Sequence, residues 1–165
     1  MAQYRAAIET DPASARALTN LGYVQLRTGR LDEAIESLER ALRVEPSFAT
    51  AHNDLGMVRA RRGEGVLARH HFERAIEADP RYADAHNNLA ALLLSEGRLD
   101  EAVRHAELAI AVRPAFAEAH TNRVAGLVRL GRFADAWAAV RAARAANAAP
   151  PAWLVAALAA RMPER

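Results

Sequence analysis

The chain has no cysteine and no lysine among its 165 residues, and aromatic residues make up only 5% of it. Without thiols, disulfides and thiolate metal sites are excluded, and the redox compartment cannot be read from cysteine usage. All 22 basic residues are arginine, which, with the abundant alanine, reflects compositional bias rather than 22 chosen guanidinium sites. Against 20 acidic residues they leave a formal charge of +2, too mild to argue for a polyanion such as nucleic acid. No apolar run approaches the ~20 residues of a membrane-spanning helix. Met1-Ala2-Gln3-Tyr4-Arg5 lacks the basic start and apolar stretch of a secretory signal. A soluble, cytoplasmic chain without membrane insertion is the expectation. There is no Gly-rich phosphate loop, nucleophile elbow or His-Glu-x-x-His, so no catalytic residue, enzymatic activity or cofactor is expected.

What is present is punctuation. Gly29, Gly63, Gly97 and Gly131 stand 34 residues apart, and Pro12, Pro46, Pro80 and Pro114 keep the same interval out of phase. Internal repetition at this period marks a solenoid. Residues 15–48, 49–82, 83–116 and 117–150 form four units, with 1–14 matching the second half of a preceding unit and 151–165 an apolar final helix, all in one continuous domain. Within the first unit Leu18, Leu21, Gly22, Gln25 and Leu26 recur at helical spacing until Gly29-Arg30. Leu31, Ala34, Ile35, Leu38, Ala41 and Leu42 then resume the pattern until Pro46. The spacing predicts an all-α chain of antiparallel helix pairs. Each glycine supplies a C-terminal cap, and Asp32 and Asp100 place acid at the next helix's positive end. Small residues at fixed phase, such as Gly22, Gly56, Ala90 and Val124, let the helices approach closely. Gly65, standing where the other units have Leu31, Leu99 and Phe133, predicts a looser inter-helix turn, and Arg123 and Ala148 mark the fourth unit as the most degenerate.

The period, Asn-Leu-Gly at 20–22, Asp-Leu-Gly at 54–56, Asn-Leu-Ala at 88–90, and Gly-Arg-Leu-Asp-Glu-Ala at 29–34 and 97–102 resemble the tetratricopeptide repeat (TPR) family over about the whole chain. That resemblance implies a right-handed superhelical solenoid whose first helices line a concave groove, used in the family mostly to bind peptides and assemble complexes. The stretch Ala-His-Asn-Asn-Leu-Ala at 85–90 is most similar to repeats of O-linked N-acetylglucosamine transferases. Those repeats carry an asparagine ladder, which implies a sequence-tolerant grip on extended polypeptide.

On the first helices, the face turned from the packed partner is expected to present Arg16, Thr19, Asn20, Tyr23, Arg27, Asn53, Asp54, Met57, Arg61, Asn87, Asn88, Asn122 and Arg129 to a peptide. Asn20, Asp54, Asn88 and Asn122 form a ladder whose amides can pair with a peptide backbone regardless of its sequence. Helices about 8–10 Å apart and an extended chain rising about 3.3 Å per residue give roughly one rung per three ligand residues. The alternative for the ladder is a role in stabilising the hairpins. Arg27, Arg61 and Arg129 form a second stripe, suited to an acidic ligand or simply a solvated basic face. The carboxylate clamp of another TPR subgroup is not expected, because acids (Asp54, Asp84, Glu118) stand where cations are needed.

His52, His86 and His120 recur once per unit, too far apart to share one metal, and read as packing residues on the first helices, while His70, His71 and His105 are expected at the surface. No metal site is expected. The ends stop out of phase, which reads either as a chain cut from a longer protein or as apolar ends (Tyr4, Ile8, Trp153, Leu154, Leu158) that meet other copies of it. The functional expectation is a non-enzymatic protein-interaction module or scaffold for extended peptides. Its alternative is the substrate-recruiting segment of a larger enzyme such as a glycosyltransferase.

Overall fold

The computed structural model describes residue 11 and residues 13–163. Among these residues there are nine helices and no strand: α1 Ala15–Arg27, α2 Leu31–Val44, α3 Ala49–Arg61, α4 Gly65–Ala78, α5 Ala83–Ser95, α6 Leu99–Val112, α7 Ala117–Arg129, α8 Phe133–Ala145 and α9 Ala152–Ala159. They fall into two compact units, residues 1–80 and residues 81–165.

In the first unit α1 pairs with α2 and α3 with α4. The Ser14 hydroxyl accepts from the Ala17 amide at the start of α1. At its end Gly29 takes φ +78°, and the Arg30 amide donates to the Gln25 carbonyl at 2.9 Å. That closure satisfies carbonyls the helix leaves open. The second hairpin turns identically, with Gly63 at φ +77° and the Glu64 amide on the Arg59 carbonyl at 2.9 Å. The looser turn expected from Gly65 is therefore not observed. The Glu64 carboxylate is gripped by Arg59 at 2.8 Å and Arg62 at 2.9 Å, which ties down the turn where Gly65 brings no side chain.

The core of this unit joins Leu18, Leu26, Leu38, Leu55 and Val58 with Ala34, Ala41 and Ala51. Gly22 faces Leu38, and Gly56 faces Phe72 so closely that a Cβ at residue 56 would lie 2.6 Å from the Phe72 ring. The hairpin thus combines the smallest residue on one helix with a large one on the other.

The second unit packs α5 on α6, α6 on α7, and α7 on α8 and α9. Here the corresponding positions are Ala90 with Ala106 and Val124 with Val140, all fully buried. Proline is missing at the end of α8, and another device stops that helix. Asn147 adopts φ 55°, and the Ala148 amide returns to the Ala143 carbonyl at 2.9 Å, a left-handed cap that asparagine tolerates better than other non-glycine residues.

The final helix α9 inserts Leu154 and Leu158 into a cluster with Val124, Leu127, Trp137 and Val140. These two leucines, which one of the two readings of the ends had meeting another copy, are buried within their own unit. Of the apolar end residues named above, Trp153 remains exposed at 67%, while Tyr4 and Ile8 lie outside the described residues. Trp137 is buried, and its indole N–H donates to the Met162 carbonyl at 2.7 Å, tying down the segment after α9. No helix of the described residues is long and apolar enough to cross a membrane.

Candidate peptide-binding face

The first unit displays Arg16, Asn20, Tyr23 and Arg27 as an exposed strip along α1. Their spacing of four, three and four residues keeps them on one helical face. The Arg27 guanidinium donates to the Tyr23 hydroxyl at 3.1 Å and lies 5.9 Å from the ring centroid, so cation and ring are held together. Thr19, expected beside them, is 2% exposed, with its hydroxyl donating to the Ala15 carbonyl of its own helix. On α3, Asn53 and Asp54 are buried at 3% and 5%, and the Asn53 amide donates to the Asp54 carboxylate at 3.3 Å. Met57 is half-buried, and its sulfur accepts from Asn53 at 3.7 Å. The second rung of the ladder is therefore inside the protein.

In the second unit the Asn122 amide of α7 donates to the Asn87 side-chain oxygen of α5 at 2.9 Å. Asn87 is buried, and Asn88 and Asn122 are half-buried. The ladder residue Asn122 is thus cross-linked to Asn87, the neighbour of the ladder residue Asn88, with partners 35 residues apart. The same offset governs the arginine stripe. Arg61 donates to the Leu26 carbonyl at 2.8 Å, and Arg129 donates to the Leu94 carbonyl. Each guanidinium occupies the negative end of the preceding first helix, where open carbonyls and the macrodipole favour a cation. Arg27 alone of the stripe is directed to Tyr23 instead.

A cleft of 370 Å³ lies against α7, lined by Ala117, Glu118, Thr121 and Asn122 and by Ala149 and Pro151 of the segment leading to α9. Its wall is mainly apolar with three polar side chains, the composition of an orienting pocket. Asn122, one of the lining residues, is held by its donation to Asn87.

The histidines are paired. His52 Nδ1 lies 3.2 Å from His71 Nδ1, and His86 Nδ1 lies 3.0 Å from His105 Nδ1. His71 and His105, expected at the surface, are half-buried because they face the first-helix histidine 19 residues earlier. His70 is exposed as expected. His52 Nε2 donates to the Pro46 carbonyl at 3.0 Å, which leaves Nδ1 as an acceptor in the neutral ring, so His71 Nδ1 must donate. Burial, reinforced by His52, pushes the His71 imidazole down to about 4. His52 and His105 are lowered as well, again chiefly by burial. His120 donates from Nε2 to the Pro114 carbonyl, but Ala139 stands where a partner ring would be, and its buried Nδ1 has no hydrogen bond. No group of three or more potential ligands converges on a metal-sized position among the described residues.

Tetratricopeptide-repeat family models match residues 15–48 and residues 71–104. Both segments are similar to that repeat. No curated protein matches the chain in sequence. Among solved structures, MamA is similar with a TM-score of 0.77 and 26% identity, over 87% of this chain and 84% of MamA. PilF of Pseudomonas aeruginosa gives a TM-score of 0.80 at 25% identity, over 92% of this chain and 68% of its own. YrrB, described as a TPR protein with an unusual peptide-binding site, gives 0.77 at 19% identity, over 98% and 93%. The fold is accordingly the all-α TPR fold.

Of the residues read for the α1 face, Arg16, Asn20, Tyr23 and Arg27 are exposed and Thr19 is not, and the cleft's second wall was missed because Ala149 and Pro151 lie after α8, away from the first helices. The sequence pattern also missed the histidine pairs, which could have been found by comparing the two helices of one hairpin rather than equivalent helices of successive units.

Proposed function

We propose that this chain is a non-enzymatic protein-interaction module that holds extended peptide segments against its first helices. The observation that carries this reading is the cleft on α7, where Glu118, Thr121 and Asn122 stand in an otherwise apolar wall of 370 Å³. An extended peptide needs apolar surface for alternate side chains and a few fixed polar groups for its backbone. Asn122 is pre-oriented for this by its bond to Asn87, so less rotamer freedom is lost on binding. The peptide-binding site described for YrrB, which has the same fold, favours this use. On the first unit, the exposed Arg16 and Arg27 of α1 form a separate surface suited to acidic groups.

The reading is tested by selecting binders from a random peptide library and measuring their affinity for Thr121→Ala/Asn122→Ala and for Arg16→Ala/Arg27→Ala. Loss of at least about tenfold, or about 1.4 kcal/mol, in the first variant is expected. Unchanged affinity in both, with loss on substituting exposed second-helix residues such as Arg43 and Arg74, would overturn it.

A further inference from the structure

We propose that His52 with His71, and His86 with His105, are two bidentate imidazole sites for a divalent transition-metal ion of Cu2+ or Zn2+ type. The three first-helix histidines cannot share an ion. Each can do so with the second-helix ring of its own hairpin. With metal–nitrogen bonds of about 2.05 Å, the Nδ1 separations of 3.2 and 3.0 Å correspond to nitrogen–metal–nitrogen angles of about 103° and 94°. These lie between the tetragonal angle of about 90° and the tetrahedral angle of about 109°. An ion could thus replace the shared proton with little movement of either helix.

The second shell at the first site already has the form such sites use. A ligating imidazole ordinarily donates its other ring N–H to a backbone carbonyl or carboxylate, which fixes the ring and the tautomer. His52 does so to Pro46, aiming the Nδ1 lone pair at His71. His71 needs only to shift its proton to Nε2 to become the second ligand, so binding requires no net proton release. Nearby positive charge is largely neutralised. Arg59 is held by Glu39 at 3.1 Å and Glu64 at 2.8 Å, and Arg74 by Glu77 at 2.9 Å. At the second site Arg98 is held by Glu101 at 2.6 Å, leaving Arg104 as the cation beside His105. His71 and His105 are only half-buried, so water can complete the coordination sphere. The fourth unit is an internal contrast. There Ala139 replaces the second ring, and His120 alone cannot chelate.

The affinity order of nitrogen sites places Cu2+ ahead of Zn2+. Equilibrium dialysis of the full, tag-free chain at neutral pH with each metal alone is expected to give two ions per chain. His71→Gln and His105→Gln should each leave one ion, the double variant none, and His70→Ala two. Undiminished binding in the double variant, loss in His70→Ala, or no binding by the parent chain would overturn the proposal. A second measurement needs no substitution. In imidazole-region NMR, substoichiometric Cu2+ should broaden His52, His71, His86 and His105 before His70 and His120. Broadening that starts at His70 or His120 would equally overturn it.

Discussion

Gly56 in the middle of α3 gives a decisive test of how the hairpins are packed. Glycine in a helix interior costs about 0.5–1 kcal/mol relative to alanine, so Gly56→Ala would stabilise α3 if nothing stood in the way. The added Cβ would lie 2.6 and 2.7 Å from two carbons of the Phe72 ring and 3.2 Å from the Ala68 carbonyl oxygen. Phe72 is 2% exposed and has no open side into which to turn. Overpacking of this kind costs about 1–3 kcal/mol, so Gly56→Ala should destabilise by about 0.5–2 kcal/mol net of the propensity gain. Phe72→Ala alone should lose about 3–5 kcal/mol through the cavity it leaves. In the double variant the ring is gone and the hairpin reproduces the Ala90–Ala106 pairing of the second unit. Gly56→Ala should therefore be neutral or stabilising in the Phe72→Ala background. Urea unfolding at neutral pH of the four proteins yields the coupling energy directly, expected at about 1–3 kcal/mol. If Gly56→Ala has the same effect in both backgrounds, the close approach of α3 to α4 does not set the residue choice at position 56.

Acid should weaken the first unit through its paired histidines, beginning below about pH 6.5. The His71 imidazole lies at about 4 in the folded chain against about 6.5 when unfolded. The unfolded state thus binds more protons between those values, and stability, complete above pH 6.5, falls as pH drops toward 4. The full shift corresponds to a ceiling of about 3 kcal/mol. With the ring partly open to solvent, about 2 kcal/mol is expected in urea unfolding between pH 7 and 4.5, with His52 acting in the same direction in the first unit and His105 in the second. A flat profile over that range, or one unaltered by His71→Gln, would contradict the paired-ring geometry. Arg61→Ala and Arg129→Ala should each lower stability by about 0.5–1 kcal/mol by removing a cation from the end of the preceding first helix. Arg27→Ala should have a smaller effect, and the reverse ranking in thermal unfolding would refute the assignment.

The glycine and proline period made the helix pairs legible because a left-handed cap and a helix stop each demand a particular residue. Gly29, Gly63, Gly97 and Gly131 all take positive φ. The binding face was less legible because identity repeats at 34 residues, whereas side chains on successive first helices meet at 35. Following Asn20 to Asp54 and Asn122 tracks residue type. The contacts run instead from Arg61 to Leu26, Asn122 to Asn87 and Arg129 to Leu94. A displaced column and a cross-linking column have the same periodicity in sequence, and only geometry separates exposed Asn20 from buried Asp54. Ion pairing was equally hidden at the turn before α4, where Glu64 compensates for Gly65 through Arg59 and Arg62.

The two tryptophans make the second unit optically distinct. Trp137 is 5% exposed and hydrogen-bonded to Met162, while Trp153 is 67% exposed, and residues 1–80 contain no tryptophan. Intrinsic emission excited in the indole band therefore carries one blue-shifted and one solvent-relaxed component, both from residues 81–165. Helical dichroism sums over both units. Superimposing the two unfolding curves will show directly whether the first unit melts with the second or ahead of it, with no label attached to the chain.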